Sequence, residues 1–150
     1  MRSILILLII SSAMLLAACG DNAAVSTVSK AELSCANAKQ QLSQLVPAVN
    51  KAERTDDAQL MKTTLRAAAV IIQDAQQEIA ALSNPPQAYL AKLGLLAAAY
   101  QQAAKAVGNQ AALSRSLRKA QAAQLQVAQQ ARLAELKVCG KPISGHISHS

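Results

Sequence analysis

Phenylalanine and tryptophan are missing from the 150-residue chain, and tyrosine occurs only twice, as Tyr89 and Tyr100. A core must then be built from Ala, Leu, Ile and Val, which suits close-packed helices better than a β-sandwich. The same lack removes the aromatic platforms on which single-stranded nucleic acid stacks, so nucleic acid is not an expected partner. Acidic groups are few, eight against fifteen Lys and Arg, which leaves a formal charge of +7. Such an excess attracts anionic lipid headgroups or anionic envelope polymers, most strongly at low salt. Motifs that carry chemistry are missing too: there is no HExxH, CxxC, GxSxG or CxxCH, and no glycine-rich phosphate loop. With no such convergence of polar groups, no enzyme and no cofactor are expected.

What the chain does have begins at Ile4. The apolar run Ile4 to Leu16 follows Met1-Arg2-Ser3 and ends in small residues and Cys19. It is shorter than the roughly 20 helical residues a hydrocarbon core requires, and its basic start marks it as a cleaved signal peptide. Its last four residues, Leu16-Ala17-Ala18-Cys19, resemble the lipobox of bacterial lipoproteins. The resemblance implies cleavage between Ala18 and Cys19 and a diacylglyceryl group on the Cys19 thiol. Two or three acyl chains, each buried CH₂ worth roughly 0.8 kcal/mol, would anchor the chain stably. Gly20, where an Asp would favour inner-membrane retention, implies the outer membrane of a two-membrane cell, or the outer face of the cell membrane where there is only one.

Beyond Cys19 the patterning divides the chain into a flexible tether to residue 29, a helical domain over residues 30–139 and a flexible tail over 140–150. Four long periodic segments make up the domain. The first, from about Lys30 to Glu53 with Ser29 as N-cap, has the seam Cys35, Ala38, Leu42, Leu45, Val49 and Ala52, with a kink or break expected at Pro47. Thr55 is the expected cap of the second, in which Met61, Leu65, Ala68, Ile72, Ala75, Ile79 and Leu82 repeat at alternating four- and three-residue steps. Ser83-Asn84-Pro85-Pro86 ends it. The third carries Tyr89, Leu93, Leu96, Tyr100, Ala103 and Val107 on one face and stops at Gly108. The fourth, from Asn109 or Gln110 to Val138, carries Leu113, Leu117, Leu125, Ala128, Leu133 and Leu136, and Gly140 is its expected end.

Short connections between these segments predict an all-α, antiparallel up-down-up-down four-helix bundle. In that topology the start of the first helix and the end of the last share one end. With Cys19 lipidated, Cys35 and Cys139 remain as an even pair in an exported domain, and a disulfide between them would close the bundle. The Ala-rich seams further imply close helix approach and little internal void.

Candidate sites are sparse. Arg115, Arg118 and Lys119 share a face of the fourth segment, with Arg132 close to it, and form a basic surface able to grip phosphates or an acidic partner, or simply to solubilise the chain. His146 and His149 stand alone in the tail, two ligands without a third, so no metal site is expected. Asp74 and Glu78 lie one turn apart and read as a solvated acidic face. The paired glutamines, among them Gln40-Gln41, Gln76-Gln77 and Gln129-Gln130, coat polar faces or meet another helical chain. Size, anchor and cysteine pair are together similar to the small helical pilotins of secretion systems, an architectural likeness only. The expected function is a membrane-anchored, non-enzymatic adaptor or scaffold that binds an envelope protein. A helical module for a small or lipidic ligand is the alternative, followed by a passive structural lipoprotein contacting anionic envelope polymers.

Overall fold

The computed structural model describes residues 27–141. They form α1 (Thr27–Gln44), α2 (Val46–Thr55), α3 (Ala58–Ala80), α4 (Gln87–Ala106) and α5 (Gln110–Leu133), with no strand among the described residues. α1 and α2 together occupy the place of the first expected segment. The break falls at Leu45, and Pro47 sits in the first turn of α2, where its missing N–H costs nothing. Helix starts earlier than the patterning suggested, so Ser29 lies inside α1 rather than capping it.

Side chains cap the starts of α3 and α5. Asp56 closes α2 in the left-handed region at φ 53°, and Asp57 then begins α3, its Oδ1 accepting from Leu60 N at 2.8 Å. Thr55 is not that cap: as the last residue of α2 it donates Oγ1 to Lys51 O at 2.9 Å. Asn109 caps α5, its Oδ1 accepting from Ala112 N at 3.0 Å. Between them Gly108 turns the chain at φ 99°, a conformation that costs glycine little.

The heptad of α3 is the centre of the core. Every member from Met61 to Ile79 is buried, and Leu82 just beyond the helix packs against the same cluster. α4 lies between α3 and α5 and buries more than one stripe: Leu90, Ala97, Ala99 and Ala104 join the expected residues. Small residues allow the close approach, and Gly94 extends it. A Cβ there would stand 3.1 Å from Gln76 Nε2, which donates to Leu90 O at 3.0 Å. α1 and α2 pack on the other flank of α3, so the helices follow one another across the fold and α1 and α5 do not pack side by side.

Three contacts establish the directions. Ser34, in the first half of α1, donates to Glu78 Oε2 near the end of α3 at 2.7 Å. Tyr89, at the start of α4, reaches Cys35, and Cys139, beyond the end of α5, is joined to Cys35 by a disulfide with the Cα atoms 5.5 Å apart. The starts of α1 and α4 and the ends of α3 and α5 therefore share one end, which alternating helix directions produce.

α5 stops at Leu133, five residues short of the expected Val138, and Lys137 lies outside it. Ala134 N donates to Gln130 O at 3.0 Å, Leu136 N to Ala131 O at 2.8 Å, and Glu135 takes a left-handed φ of 59°. This turn buries Leu136 and folds residues 134–141 back as a strap that carries Cys139 to α1. Gly140 ends no helix. It is buried in the strap, where a Cβ would lie 2.9 Å from Arg132 Cγ and 3.0 Å from Leu136 O.

One carboxylate is poorly accommodated. Glu53 is half-buried near the end of α2, its Oε1 has no hydrogen-bond partner, and burial holds its pKa above the usual carboxylate value. A raised folded-state pKa makes the ionised form a destabilising one, so the penalty is absent at low pH and develops as pH rises through the carboxylate range. Glu53→Gln is accordingly expected to melt higher than wild type at pH 7 and to lose that advantage near pH 4, as followed by circular dichroism. An advantage that did not depend on pH would trace to packing instead of charge.

Candidate functional site

Because α1 and α5 are not packed together, a cleft opens between them over the floor made by α3 and α4. Its volume is about 210 Å³. α1 contributes Cys35, Ala38, Lys39 and Leu42; the floor is Ile72, Ala75, Tyr89, Leu93 and Leu96; the α5 wall runs from Gln121 to Ala128. Residues 35 to 42, 89 to 96 and 121 to 128 each span seven steps of helix, so the cleft is about two turns, or 10 Å, long. Its interior is mainly apolar, with Lys39, Lys141, Gln121 and Gln124 among its polar lining residues. Leu125 lines it too and is 66% exposed.

The strap and its disulfide close one end. Glu32 Oε2 accepts from Val138 N at 2.7 Å and Cys139 N at 3.2 Å. Lys39 Nζ donates to Val138 O, and to Lys141 O at 3.0 Å. Having no hydrogen in the disulfide, Cys35 Sγ accepts from the Tyr89 hydroxyl at 3.0 Å. Burial draws the Lys39 pKa below the usual lysine value; Glu32 opposes the shift and Lys141 adds to it. Burial, followed by the charge of Glu32, pushes the Tyr89 phenol upward, and burial alone raises Tyr100 to about 12. Both phenols are thus neutral at physiological pH and are buried in the core, with Tyr89 on the cleft floor.

No family model matches this chain. No curated protein is significantly similar to it, and no solved structure matches its fold. What the cleft can do must be read from its own chemistry.

Among the described residues no group of three or more His, Cys, Asp or Glu is placed to hold a metal. The cleft lining presents phenol, amide and ammonium groups but no carboxylate or imidazole. Its volume exceeds the roughly 150 Å³ of a dry cavity that accepts a benzene-sized guest, yet lies below the ~300–1,000 Å³ of pockets for drug-sized ligands. A few apolar side chains of another protein, or a short stretch of alkyl chain, would fill it.

Of the sites expected from sequence, Ala18, Cys19, His146 and His149 lie outside the described residues. Cys35 and Cys139 are brought together. Arg115, Arg118 and Lys119 are exposed on α5, whereas Arg132 leans over the strap and donates Nε to Gly140 O at 3.3 Å. Asp74 is exposed, and Glu78 serves Ser34 as an acceptor. The cleft itself had only a weak signal. The fourth segment steps eight residues from Leu117 to Leu125 with Gln121 and Gln124 between them, and those amides mark the wall that meets no helix.

Proposed function

We propose that the chain is an exported, lipid-anchored, non-enzymatic adaptor that holds an envelope protein at a membrane by accepting an apolar helix face of that partner between α1 and α5. The observation that carries the reading is the two-turn cleft, open along its side, with Leu125 exposed beside an apolar floor. Helix-in-groove recognition inserts side chains spaced at i, i+3 or i+4 and i+7, and two turns is the length such a set occupies. The cleft volume favours these few anchors over a whole small ligand. Anchoring rests on the lipobox-like Leu16-Ala17-Ala18-Cys19, and no described helix is long and apolar enough to cross a membrane.

Two experiments test the reading. Growth with a labelled fatty acid is expected to label the wild-type chain and leave Cys19→Ser unlabelled and released from membranes; an unlabelled wild type contradicts the anchor. Crosslinking in intact cells, then purification from solubilised membranes, is expected to recover one stoichiometric envelope protein. Recovery of lipid alone would transfer the cleft to an acyl chain, recovery of cell-wall polymer alone would favour a structural lipoprotein, and either would retire the adaptor.

A further inference from the structure

The end of the bundle that carries the strap has a second surface, which shares only Lys141 with the cleft. Val28 of α1 faces the strap across a shallow concavity lined by Arg132, Glu135, Leu136, Lys137, Gly140 and Lys141. Three apolar side chains are exposed at this end: Val28, Val138 and Leu133, the last 71% exposed at the final residue of α5. Lys30, two residues after Val28 on α1, is exposed as well. Glu32 and Glu78 also lie towards this end, bonded to backbone N–H groups and to Ser34, but the concavity itself sets the single carboxylate of Glu135 against Arg132, Lys137 and Lys141. The opposite end, at the α2–α3 connection, exposes Asp56 and Asp57 beside Lys51 and Arg54.

We infer that this end of the bundle, with Val28, Leu133 and Val138 exposed beside Arg132, Lys137 and Lys141, is a docking surface for an anionic lipid bilayer. Amphipathic patches of this composition bury their apolar groups at the headgroup boundary while the cations meet lipid phosphates. Chain geometry adds an independent constraint. Thr27 follows Cys19 by eight residues, which span at most about 28 Å fully extended. The 23 residues of α3 alone measure about 35 Å, so with Cys19 in the bilayer the strap end is the one held near it. This clause rests on lipidation of Cys19; the charge and apolar pattern do not. Docked on this end, the bundle stands with the long sides of α1 and α5, and the cleft between them, off the membrane.

The test uses the mature lipidated chain reconstituted with vesicles of phosphatidylcholine alone or of phosphatidylcholine mixed with phosphatidylglycerol. A photoreactive phenylalanine analogue is placed at Leu133 or, as a control on a remote exposed face, at Leu95. With phosphatidylglycerol present, lipid adducts at position 133 are expected to exceed those at 95 by at least about tenfold and to fall by a similar factor in Lys137→Glu/Lys141→Glu, each cation contributing roughly fivefold at an anionic surface. Equal adducts at the two positions, or adducts indifferent to the charge reversal, would overturn the docking surface. The anchor is read separately. A chain that floats with phosphatidylcholine vesicles but gives a flat adduct pattern retains the anchor and loses the docking surface, and a chain that forms the 133 adducts only on anionic vesicles without floating on neutral ones does the reverse.

Discussion

Replacing Cys35 and Cys139 together by serine is expected to cost about 4–5 kcal/mol and to lower the melting temperature by roughly 15–25 °C. The disulfide joins residues 104 positions apart, so it closes almost the whole described chain into one loop and removes a large share of the unfolded state's freedom. Local consequences follow from the same bond. Without it the strap is held to α1 by Glu32 and Lys39 alone, the Tyr89 hydroxyl loses its sulfur acceptor, and the closed end of the cleft loosens. Chemical denaturation of oxidised wild type and the double serine variant checks this. A loss below about 1 kcal/mol would mean that hydrogen bonds, and not the covalent link, fix the strap.

The second large effect is on binding. Ala128→Trp is expected to weaken capture of the partner at least tenfold while leaving the melting temperature unchanged or slightly raised. Ala128 is half-buried on the α5 wall, and an indole there would occupy the space into which a partner's side chains insert. Trp side chains bury of order 150–250 Å², so the cleft offers the ring apolar cover without forcing α5 away from α4. Ala122→Trp, exposed on α5 and outside the cleft lining, is the matched control and is expected to bind as wild type. Equal capture by both variants would move the partner off the cleft.

How much of this could be read from the chain alone differs between its parts, for physical reasons. The α3 heptad was legible because a long apolar seam with one regular period has few competing arrangements. The cysteine pairing was legible because short connections fix which ends meet, and two thiols at one end have each other as partners. The end of α5 was not. Its apolar stripe continues to Leu136, but Cys139 must return to Cys35, and the backbone turns at Glu135, a residue that carries no left-handed turn signal. Gly140, which resembled a helix cap, instead satisfies close approach to Arg132.

The cleft was hidden by a rule that holds only locally. Ala-rich seams do bring α3, α4 and α5 together through residues such as Ala97, Ala103, Ala120 and Ala131. They cannot close α1 on α5, because there the facing side chains are Ala38 and Lys39 on one side and Gln121, Gln124 and Leu125 on the other. Small or polar groups on both walls, with a disulfide spanning one end, leave the gap. Leu125 and Leu133 accordingly sit exposed where a continuous stripe suggested burial.

The most direct test of the adaptor reading is site-specific photocrosslinking in living cells, with the photoreactive residue at Leu125 on the cleft or at Val70 on the exposed face of α3. The account predicts one discrete protein adduct at position 125, absent at 70 and abolished when Ala128→Trp is added. Adducts of equal yield at both positions, or an adduct at 125 that survives the filled cleft, would contradict it.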